Sequence, residues 1–216
     1  MIRIMLADDH EIVRRGLRDL VEVHEGWQVC GEARNGREAV ALAADLTPDV
    51  AILDLSMPEL NGIEATRRIR KESPLTEVLV YTMHGSERHI REVFSAGARG
   101  YVLKSDPVRQ VEAAVEALVQ HRPYFTPEIA QKVLDGYLRG GKDEGAVGDA
   151  ANAMTSRERE ILQLLAEGRT NKDIAVALSI SVKTVETHRS AIMRKLHVTS
   201  LIELTRYAIR NGFLEP

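Results

Sequence analysis

Hydrophobic and polar positions follow two different patterns along this chain. In residues 1–120, short apolar runs alternate with stretches whose apolar residues recur at helical spacing. From about residue 154 onward, only the helical spacing is found. The pattern predicts an α/β front half followed by an all-helical back half.

The apolar runs of the front half predict five β-strands. They are rich in Val, Ile and Leu and lie at 2–7, 27–33, 50–54, 77–82 and 100–103. Helices are predicted between and after them, at 11–23, 36–44, 62–71, 87–96 and 107–120. Strands that alternate with helices favour right-handed βαβ units. We therefore expect a doubly wound, five-stranded parallel sheet with helices on both faces.

The back half predicts a small all-α domain of four short helices, with apolar residues at helical spacing between Ile161 and Ala208. Thr155 is followed three residues later by Glu158, the pattern of a capping box that begins a helix.

A segment of different composition separates the two halves. Residues 139–153 contain four glycines and one large apolar residue, Val147, which is typical of a flexible linker. Before it, a helix is predicted at about 127–138, with Thr126 as its cap and Pro127 at its first position. We expect a first domain over 1–120, a linker over 121–153 that contains this helix, and a second domain over 154–216.

Charge also separates the halves. Residues 1–120 carry 15 Lys and Arg against 20 Asp and Glu, a balance of −5. Residues 154–216 carry 10 against 7, a balance of +3. An acidic front and a basic back indicate modules with different partners, and the basic excess is a mild indication of nucleic acid.

Other features favour a cytoplasmic protein with no membrane partner. The longest apolar stretches fall well short of the ~20 residues of a membrane span. The first ten residues lack the basic region and apolar core of a secretion signal. Cys30 is the single cysteine, which excludes an internal disulfide and fits a reducing compartment. Its place in a predicted strand favours a buried structural thiol over a reactive one.

The residues that end the predicted strands carry the candidate chemistry. Asp8 and Asp9 follow the first strand, Asp54 ends the third, Thr82 ends the fourth and Lys104 follows the fifth. In a parallel α/β sheet, ligands bind beyond the carboxyl ends of the strands. The fold would therefore bring these side chains to one edge.

This combination of groups indicates phosphoryl chemistry with Mg²⁺. Carboxylate oxygens suit Mg²⁺, which would offset their repulsion and neutralise charge in phosphoryl transfer. Lys104 and Thr82 can bond phosphoryl oxygens. Asp54 is the candidate nucleophile, because carboxylates can form acyl phosphates.

Each of these residues also has an ordinary structural interpretation. Asp8 suits a helix N-cap, Thr82 suits a strand, and Lys104 suits a solvated loop. Their combination at four of the five strand ends is what favours a functional site.

Four stretches resemble the motifs of two-component response-regulator receiver domains. They are LADDH, AILDLSMPELNGIEATRRIR, VLVYT and GARGYVLKS. The resemblance implies that Asp54 accepts a phosphoryl group from a sensor histidine kinase. It also implies that Asp9 and Asp54, aided by Asp8, bind Mg²⁺.

The same resemblance assigns the residues that respond to the phosphoryl group. It implies that Thr82 and Lys104 detect it, and that Tyr101 is a switch aromatic that turns inward when Thr82 moves. The alternative for Tyr101 is an ordinary aromatic residue of a strand.

The back half resembles the LuxR-type helix-turn-helix in the stretch MTSREREILQLLAEGRTNKDIAVALSISVKTVETHRSAIMRKLHV. Together the halves resemble the NarL/FixJ subfamily of response regulators, which implies dimers when active. In such a unit one helix enters the major groove, and the candidate here is 182–196. Val185, His188, Ile192 and Leu196 share its predicted core face. The residues expected to contact DNA are Lys183, Thr184, Glu186, Thr187, Ser190, Arg194 and Lys195. A merely solvated helix face is the alternative.

The hypothesis is a non-enzymatic transcription factor switched by phosphorylation. Its expected partners are a sensor kinase, promoter DNA and a second copy of the chain, and RNA polymerase is a further candidate. One alternative is a Mg²⁺-dependent phosphatase resembling haloacid dehalogenases. Those enzymes carry a second Asp two positions after the nucleophile, where this chain has Ser56. Another alternative, a ligand-sensing DNA-binding protein, has no need of the acidic cluster.

Overall fold

The structure is a computed structural model that describes residues 1–138 and 154–214. Residue contacts divide the chain into two compact units, with the division between residues 140 and 141. The predicted linker at 139–153 lies outside the described residues. No helix in the described ranges is long and apolar enough to cross a membrane.

A parallel sheet forms the first unit, in the order β2-β1-β3-β4-β5-β6. Its strands are β1 Ile2–Ala7, β2 Trp27–Ala33, β3 Val50–Leu53, β4 Glu77–Thr82, β5 Gly100–Leu103 and β6 Tyr124–Phe125. Its helices are α1 Glu11–Val23, α2 Gly36–Leu46, α3 Gly62–Glu72, α4 Glu87–Ala96, α5 Arg109–Val119 and α6 Pro127–Leu138. The predicted α/β class and doubly wound parallel sheet are confirmed.

The prediction of five strands is wrong, because β6 adds a sixth strand at the edge. Tyr124 and Phe125 pair in parallel with Gly100 and Tyr101 of β5. A two-residue strand is too short to produce a detectable alternation of apolar and polar positions, so sequence periodicity could not indicate it.

Helix ends shift by up to two residues from the predicted positions. Helix α2 continues to Leu46, and α5 begins at Arg109, after a turn in which the Gln110 amide bonds the Pro107 carbonyl. Such shifts are ordinary, since the amphipathic pattern does not mark the last turn of a helix.

Both faces of the sheet are covered. In β1, Met5 and Ala7 belong to one buried cluster while Ile4 and Leu6 belong to the other. Neighbouring residues of a strand point to opposite faces, so burial on both sides requires apolar residues throughout. This explains why the strands appear as continuous apolar runs.

The second unit is a helical domain with its own core. Its helices are α7 Ser156–Ala166, α8 Asn171–Ala177, α9 Val182–Lys195 and α10 Leu201–Arg210. Helix α7 begins with the predicted capping box, in which the Thr155 hydroxyl accepts from the Glu158 amide and the Glu158 side chain accepts from the Thr155 amide. The buried cluster includes Ile161, Ile174, Ile192 and Leu204, so all four helices contribute.

Candidate functional site

The register of the central strands places Asp8 and Asp54 side by side. Ala7 of β1 pairs with Leu53 of β3, and the two aspartates directly follow the ends of these strands. The Asp54 amide donates to the Ala7 carbonyl over 2.8 Å. Asp8 is 1% exposed and Asp54 is 3% exposed, so two carboxylates lie buried at the carboxyl edge of the sheet.

Lys104 joins these carboxylates from the neighbouring part of the sheet. Thr82 pairs with Leu103, and Lys104 follows directly after it. The Lys104 Nζ lies 2.7 Å from Asp54 Oδ2 and 2.7 Å from Asp8 Oδ2. Burial disfavours the ammonium, but the Asp54 and Asp8 carboxylates outweigh burial and raise the pKa of Lys104. The lysine therefore stays protonated.

Burial disfavours the ionised form of Asp8. Burial raises its pKa above the ordinary range, and the nearby charge of Asp54 adds to the rise, while the hydrogen bond from Lys104 opposes it. The Asp54 Oδ1 oxygen accepts the Leu55 amide over 2.7 Å, which fixes the carboxylate plane. Each Asp54 oxygen thus has a defined partner.

Asp9 and His10 complete a cluster with donors for a cation. The His10 Nδ1 lies 3.0 Å from Asp9 Oδ1 and 3.3 Å from Asp8 Oδ1. One ligand atom from each of Asp8, Asp9, His10 and Asp54 lies within 4.8 Å of the others. Sequence reasoning missed His10, although an imidazole directly after an acidic pair was a usable signal.

This donor set fits a hard divalent cation. Three carboxylates face one ammonium, which leaves an excess of negative charge at a largely buried edge. The Asp9 side chain is 34% exposed, so the cluster is open to solvent on that side. Carboxylate oxygens with room for retained water are the ligands that Mg²⁺ prefers.

Thr82 is the last residue of β4, directly before the loop 83–86 that leads into α4. It is fully buried, and its Oγ1 accepts the His84 amide over 3.3 Å. The His84 Nε2 lies 2.7 Å from the Ser56 Oγ in the loop after Asp54. His84 thus connects the loops after β3 and β4, a contact that no sequence pattern indicated.

Tyr101 is fully buried, and its hydroxyl donates to the His84 carbonyl over 2.6 Å. Its ring lies edge-on to that of Phe94 in α4, with centroids 6.4 Å apart. Burial raises the pKa of the Tyr101 hydroxyl, which therefore remains a donor. Tyr101 thus ties β5 to the loop that follows Thr82.

A second candidate surface lies on α9 of the helical unit. Val185 and Ile192 face the core, together with Leu196, which follows the helix, and His188 is half-buried. The predicted DNA-facing residues that are exposed are Lys183, Glu186, Thr187, Ser190 and Arg194. Exposed cations and hydroxyls on one helix suit phosphates and base edges.

Two predicted DNA contacts are engaged within their own unit. The Lys195 Nζ lies 2.7 Å from Glu158 Oε2 of α7. The Thr184 hydroxyl lies 2.8 Å from the Ser181 Oγ, and the Ser181 oxygen also accepts the Thr184 amide. The Thr184 contacts stabilise the start of α9, and the Lys195 contact stabilises the packing of α9 on α7. Both side chains are half-buried, unlike the five exposed ones.

Comparison with known families matches both units. Residues 4–116 match the family described as "Response regulator receiver domain". Residues 152–208 match the family described as "Bacterial regulatory proteins, luxR family".

Relatives extend over the whole chain. The transcriptional regulatory protein LiaR of Bacillus subtilis (strain 168) is 40% identical over 211 residues, which covers 98% of each chain. The oxygen regulatory protein NreC of Staphylococcus carnosus (strain TM300) is 36% identical over 216 residues, covering 99% of this chain and 100% of that one.

Solved structures show the same likeness. RcsB of Salmonella enterica serovar Typhimurium, bound to promoter DNA in the presence of the phosphomimetic BeF3−, has a TM-score of 0.63 and 28% identity, covering 95% of this chain and 97% of that one. A LuxR-family response regulator from Aurantimonas sp. SI85-9A1 has a TM-score of 0.61 and 41% identity, covering 63% of this chain and 97% of that one.

Proposed function

Because this chain belongs to the response regulators of the NarL/FixJ type, which join a receiver domain to a LuxR-type DNA-binding domain, we propose that Asp54 is its phosphoacceptor. The chain is a DNA-binding transcriptional regulator of a two-component system. In this proposal a sensor histidine kinase supplies the phosphoryl group, and the change at Asp54 controls dimerisation and promoter binding by the second unit.

One observation carries the proposal. The Lys104 ammonium lies 2.7 Å from Asp54 Oδ2 and 2.7 Å from Asp8 Oδ2, with Asp9 beside them. This places a nucleophilic carboxylate, an ammonium and further acidic oxygens at one partly open edge. Such a site provides both a phosphoryl acceptor and the groups that stabilise the transferred charge.

The protein contributes to the transfer mainly by positioning the reacting groups and by stabilising the charge on the phosphoryl oxygens. A carboxylate oxygen of Asp54 attacks the phosphorus of the phosphorylated kinase histidine. The P–O bond of the acyl phosphate forms as the P–N bond breaks, and the histidine ring leaves with the bonding electron pair and takes a proton from solvent to become neutral imidazole. Lys104 is placed to pair with a phosphoryl oxygen, because it already lies against the attacking carboxylate.

Asp8, Asp9 and Asp54 would hold Mg²⁺, which when bound neutralises charge on the phosphoryl oxygens. The raised pKa of Asp8 supports this assignment, because a nearby cation stabilises the ionised form of an acid that burial disfavours. Asp8 and Asp9 then act as ligands, while Asp54 serves as ligand and nucleophile.

Thr82, Lys104 and Tyr101 are proposed to convert phosphorylation into a change of conformation. The Thr82 oxygen accepts the His84 amide, and its hydroxyl proton can bond a phosphoryl oxygen, so a turn of Thr82 toward that oxygen would move the contact with His84. Because Tyr101 donates to the His84 carbonyl, the loop and the aromatic ring respond together. A ligand shifts an equilibrium only through contacts that differ between two states, and these contacts are the proposed difference.

In the second unit, α9 is proposed to read the major groove. The candidate contacts are Lys183, Thr184, Glu186, Thr187, Ser190, Arg194 and Lys195. Among them, the exposed Lys183 and Arg194 suit phosphates, whereas Thr187 and Glu186 suit base edges.

The remaining parts of the proposal follow from this role. The chain acts as a homodimer when active, catalyses no reaction on a separate substrate, and works in the cytoplasm, where the promoter lies. RNA polymerase is a further candidate partner at the promoter.

The test of the phosphoacceptor is intact mass after incubation with acetyl phosphate and Mg²⁺. The parent chain should gain one phosphoryl group, and Asp54→Asn should gain none, because an amide does not form the acyl phosphate. Asp49→Asn is the matched control, since Asp49 lies at the opposite end of β3 and accepts the Arg3 amide. Undiminished incorporation in Asp54→Asn would exclude Asp54 as the acceptor.

A further inference from the structure

Helix α6 contacts the loop that follows Thr82. The Lys132 Nζ of this helix donates to the Gly85 carbonyl over 3.0 Å, across 47 positions of the chain. The same ammonium lies 2.8 Å from Glu128 Oε1, one turn earlier in α6. Lys132 is therefore held in place by its own helix while it bonds the loop.

The Gly85 carbonyl lies next to the residues that respond to the candidate phosphoryl site. His84 bonds Thr82 through its amide and Tyr101 through its carbonyl. Its ring also contacts Ser56 beyond Asp54. A movement of Thr82 toward the phosphoryl group therefore displaces His84, and Gly85 is covalently attached to it.

The lysine contact is close enough to depend on the position of this loop. A Cβ built on Gly85 would lie 3.3 Å from the Lys132 Nζ. The charged donor and the loop backbone are therefore in direct contact, and a shift of the loop by a fraction of an ångström changes the hydrogen bond.

Helix α6 packs against the core of the first unit, so a change in the loop can alter the stability of this helix. Its Ile129 is fully buried in the cluster that contains Tyr101 and Ile90 of α4. Helix α6 also packs on α4, the helix that the loop leads into. Lys132 thus adds a hydrogen bond to the loop beside the apolar packing of Ile129 in the core.

We propose that Lys132 is a positioning residue, whose hydrogen bond to Gly85 couples the phosphoryl site to α6, the helix that precedes the segment joining the two units. This inference rests on the proposed phosphorylation of Asp54. In the unmodified chain the bond holds α6 against the loop. When Thr82 turns to the phosphoryl group, the loop shifts and the bond weakens. Coupling of this kind is reciprocal, so loosening α6 also changes the equilibrium of the loop.

The experiment is amide hydrogen exchange of α6 with and without acetyl phosphate and Mg²⁺, with intact mass as the measure of phosphorylation. In the parent chain, phosphorylation should speed exchange over 128–138 about fivefold, the effect of losing one hydrogen bond. In Lys132→Met, which keeps the apolar stem but lacks the donor, α6 should exchange faster from the outset, and phosphorylation should add little. Lys132→Arg restores a donor and should restore the response.

A matched control removes a lysine elsewhere. Lys71→Met, an exposed position in the last turn of α3, should leave the exchange response of α6 at the parent level. A merely structural role of Lys132 would change exchange equally in both modification states, so the difference between the states is the decisive readout.

The possible failures are distinguishable. If the parent gains one phosphoryl group but Lys132→Met shows the parent's response in α6, the coupling inference is overturned and the proposed function stands. Unchanged or slower exchange of α6 in the phosphorylated parent would also overturn the coupling. If neither acetyl phosphate nor a phosphorylated kinase modifies the parent, the proposed function fails and the inference fails with it.

Discussion

At the carboxyl edge of the sheet, the negative charges of two neighbouring aspartates repel each other. Asp8 and Asp54 are buried side by side, and one ammonium from Lys104 serves both. The pKa of Asp8 is raised, first by burial and also by Asp54, so its ionised form is disfavoured in the folded chain. In the proposed function this site holds a cation and a phosphoryl group, and it keeps this charge at a cost in stability.

We expect Asp8→Asn to stabilise the first unit in the absence of Mg²⁺. A carboxyl whose pKa is raised by folding binds its proton more tightly in the folded chain, so ionisation at neutral pH lowers stability. Asparagine removes that charge and can still accept the His10 amide, which bonds Asp8 Oδ1 over 2.9 Å. The gain should be on the order of 1 kcal/mol in urea unfolding at pH 7 with chelator.

The pH and Mg²⁺ dependence provide the internal controls. The difference in unfolding free energy between parent and variant should shrink as the pH falls through the raised pKa of Asp8, because the parent then becomes neutral there. Mg²⁺ should stabilise the parent more than the variant, since binding to the folded state alone raises stability. A variant less stable than the parent at pH 7 without Mg²⁺ would contradict this account of Asp8.

At the scale of elements, close packing of helix ends and strand ends positions the side chains. Helix α3 begins directly against the residue that carries the candidate phosphoryl chemistry. A Cβ added to Gly62 would lie 2.0 Å from the Asp54 carbonyl oxygen and 2.9 Å from the Leu55 Cα. Both atoms are backbone, so they cannot yield as a flexible side chain would. Glycine at this position therefore lets α3 and the Asp54 loop approach each other.

Gly62→Ala should destabilise the first unit by about 2 kcal/mol or more, because the new methyl group requires the backbone to shift. It should also slow phosphoryl incorporation, since Asp54 moves with its carbonyl. Gly16→Ala is the control, because no atom lies within 4 Å of a Cβ at this site in α1. That variant should gain about 0.5–1 kcal/mol, as expected for alanine in a helix interior. Equal stability in urea for the two variants would rule out the proposed close packing.

Helix α9 presents different chemistry at neighbouring exposed positions. Lys183 carries a flexible charge, whereas the Thr187 hydroxyl is bonded to the Lys183 carbonyl over 2.9 Å and is held close to the helix. The charge suits a phosphate, and the fixed hydroxyl and methyl suit a base edge.

We expect Lys183→Ala to weaken binding to all DNA sequences and to lower the salt slope by about one. Thr187→Ala should instead relax the preference at one base pair, with little change in the salt slope. Titrations over a range of salt, against the operator and its single-base variants, separate the two effects. If both substitutions leave affinity, slope and preference unchanged, α9 is not the reading helix.

At the scale of the whole molecule, two units with separate cores carry opposite charge. Residues 1–120 have a balance of −5 and residues 154–216 a balance of +3. The second unit buries Ile161, Ile192 and Leu204 in a cluster of its own. A unit with its own core can fold alone, so removal of the first unit is a usable experiment.

The fragment 150–216 should bind DNA without phosphorylation, and at least as well as the unmodified full chain. The first unit carries a net negative charge, as DNA does, so we expect its removal to relieve an inhibition of DNA binding. Circular dichroism establishes that the fragment is folded, and salt-matched DNA titrations compare the affinities. A folded fragment that binds far more weakly than the full chain would indicate that the first unit acts by bringing two copies together.

The sequence by itself determined the architecture and the approach of the distant polar residues. Alternating apolar runs and amphipathic helices specify a parallel sheet, and the carboxyl ends of parallel strands meet at one edge. Asp8, Asp54 and Lys104 were therefore expected together. In the structure the Lys104 Nζ lies 2.7 Å from a carboxylate oxygen of each aspartate. Local patterns were equally informative, as the capping box at Thr155 shows.

Only the tertiary structure decided the contacts that follow no periodic pattern. Strand β6 is two residues long and is stabilised by pairing with β5, not by its own pattern. The bond from Lys132 to Gly85 and the contact of His84 with Ser56 join loops and helices 47 and 28 positions apart. Hydrophobic periodicity reports which face of an element is buried, but it contains no information on which loop atom meets which side chain. Those pairings depend on how the helices pack on the sheet, and packing is a property of the whole unit.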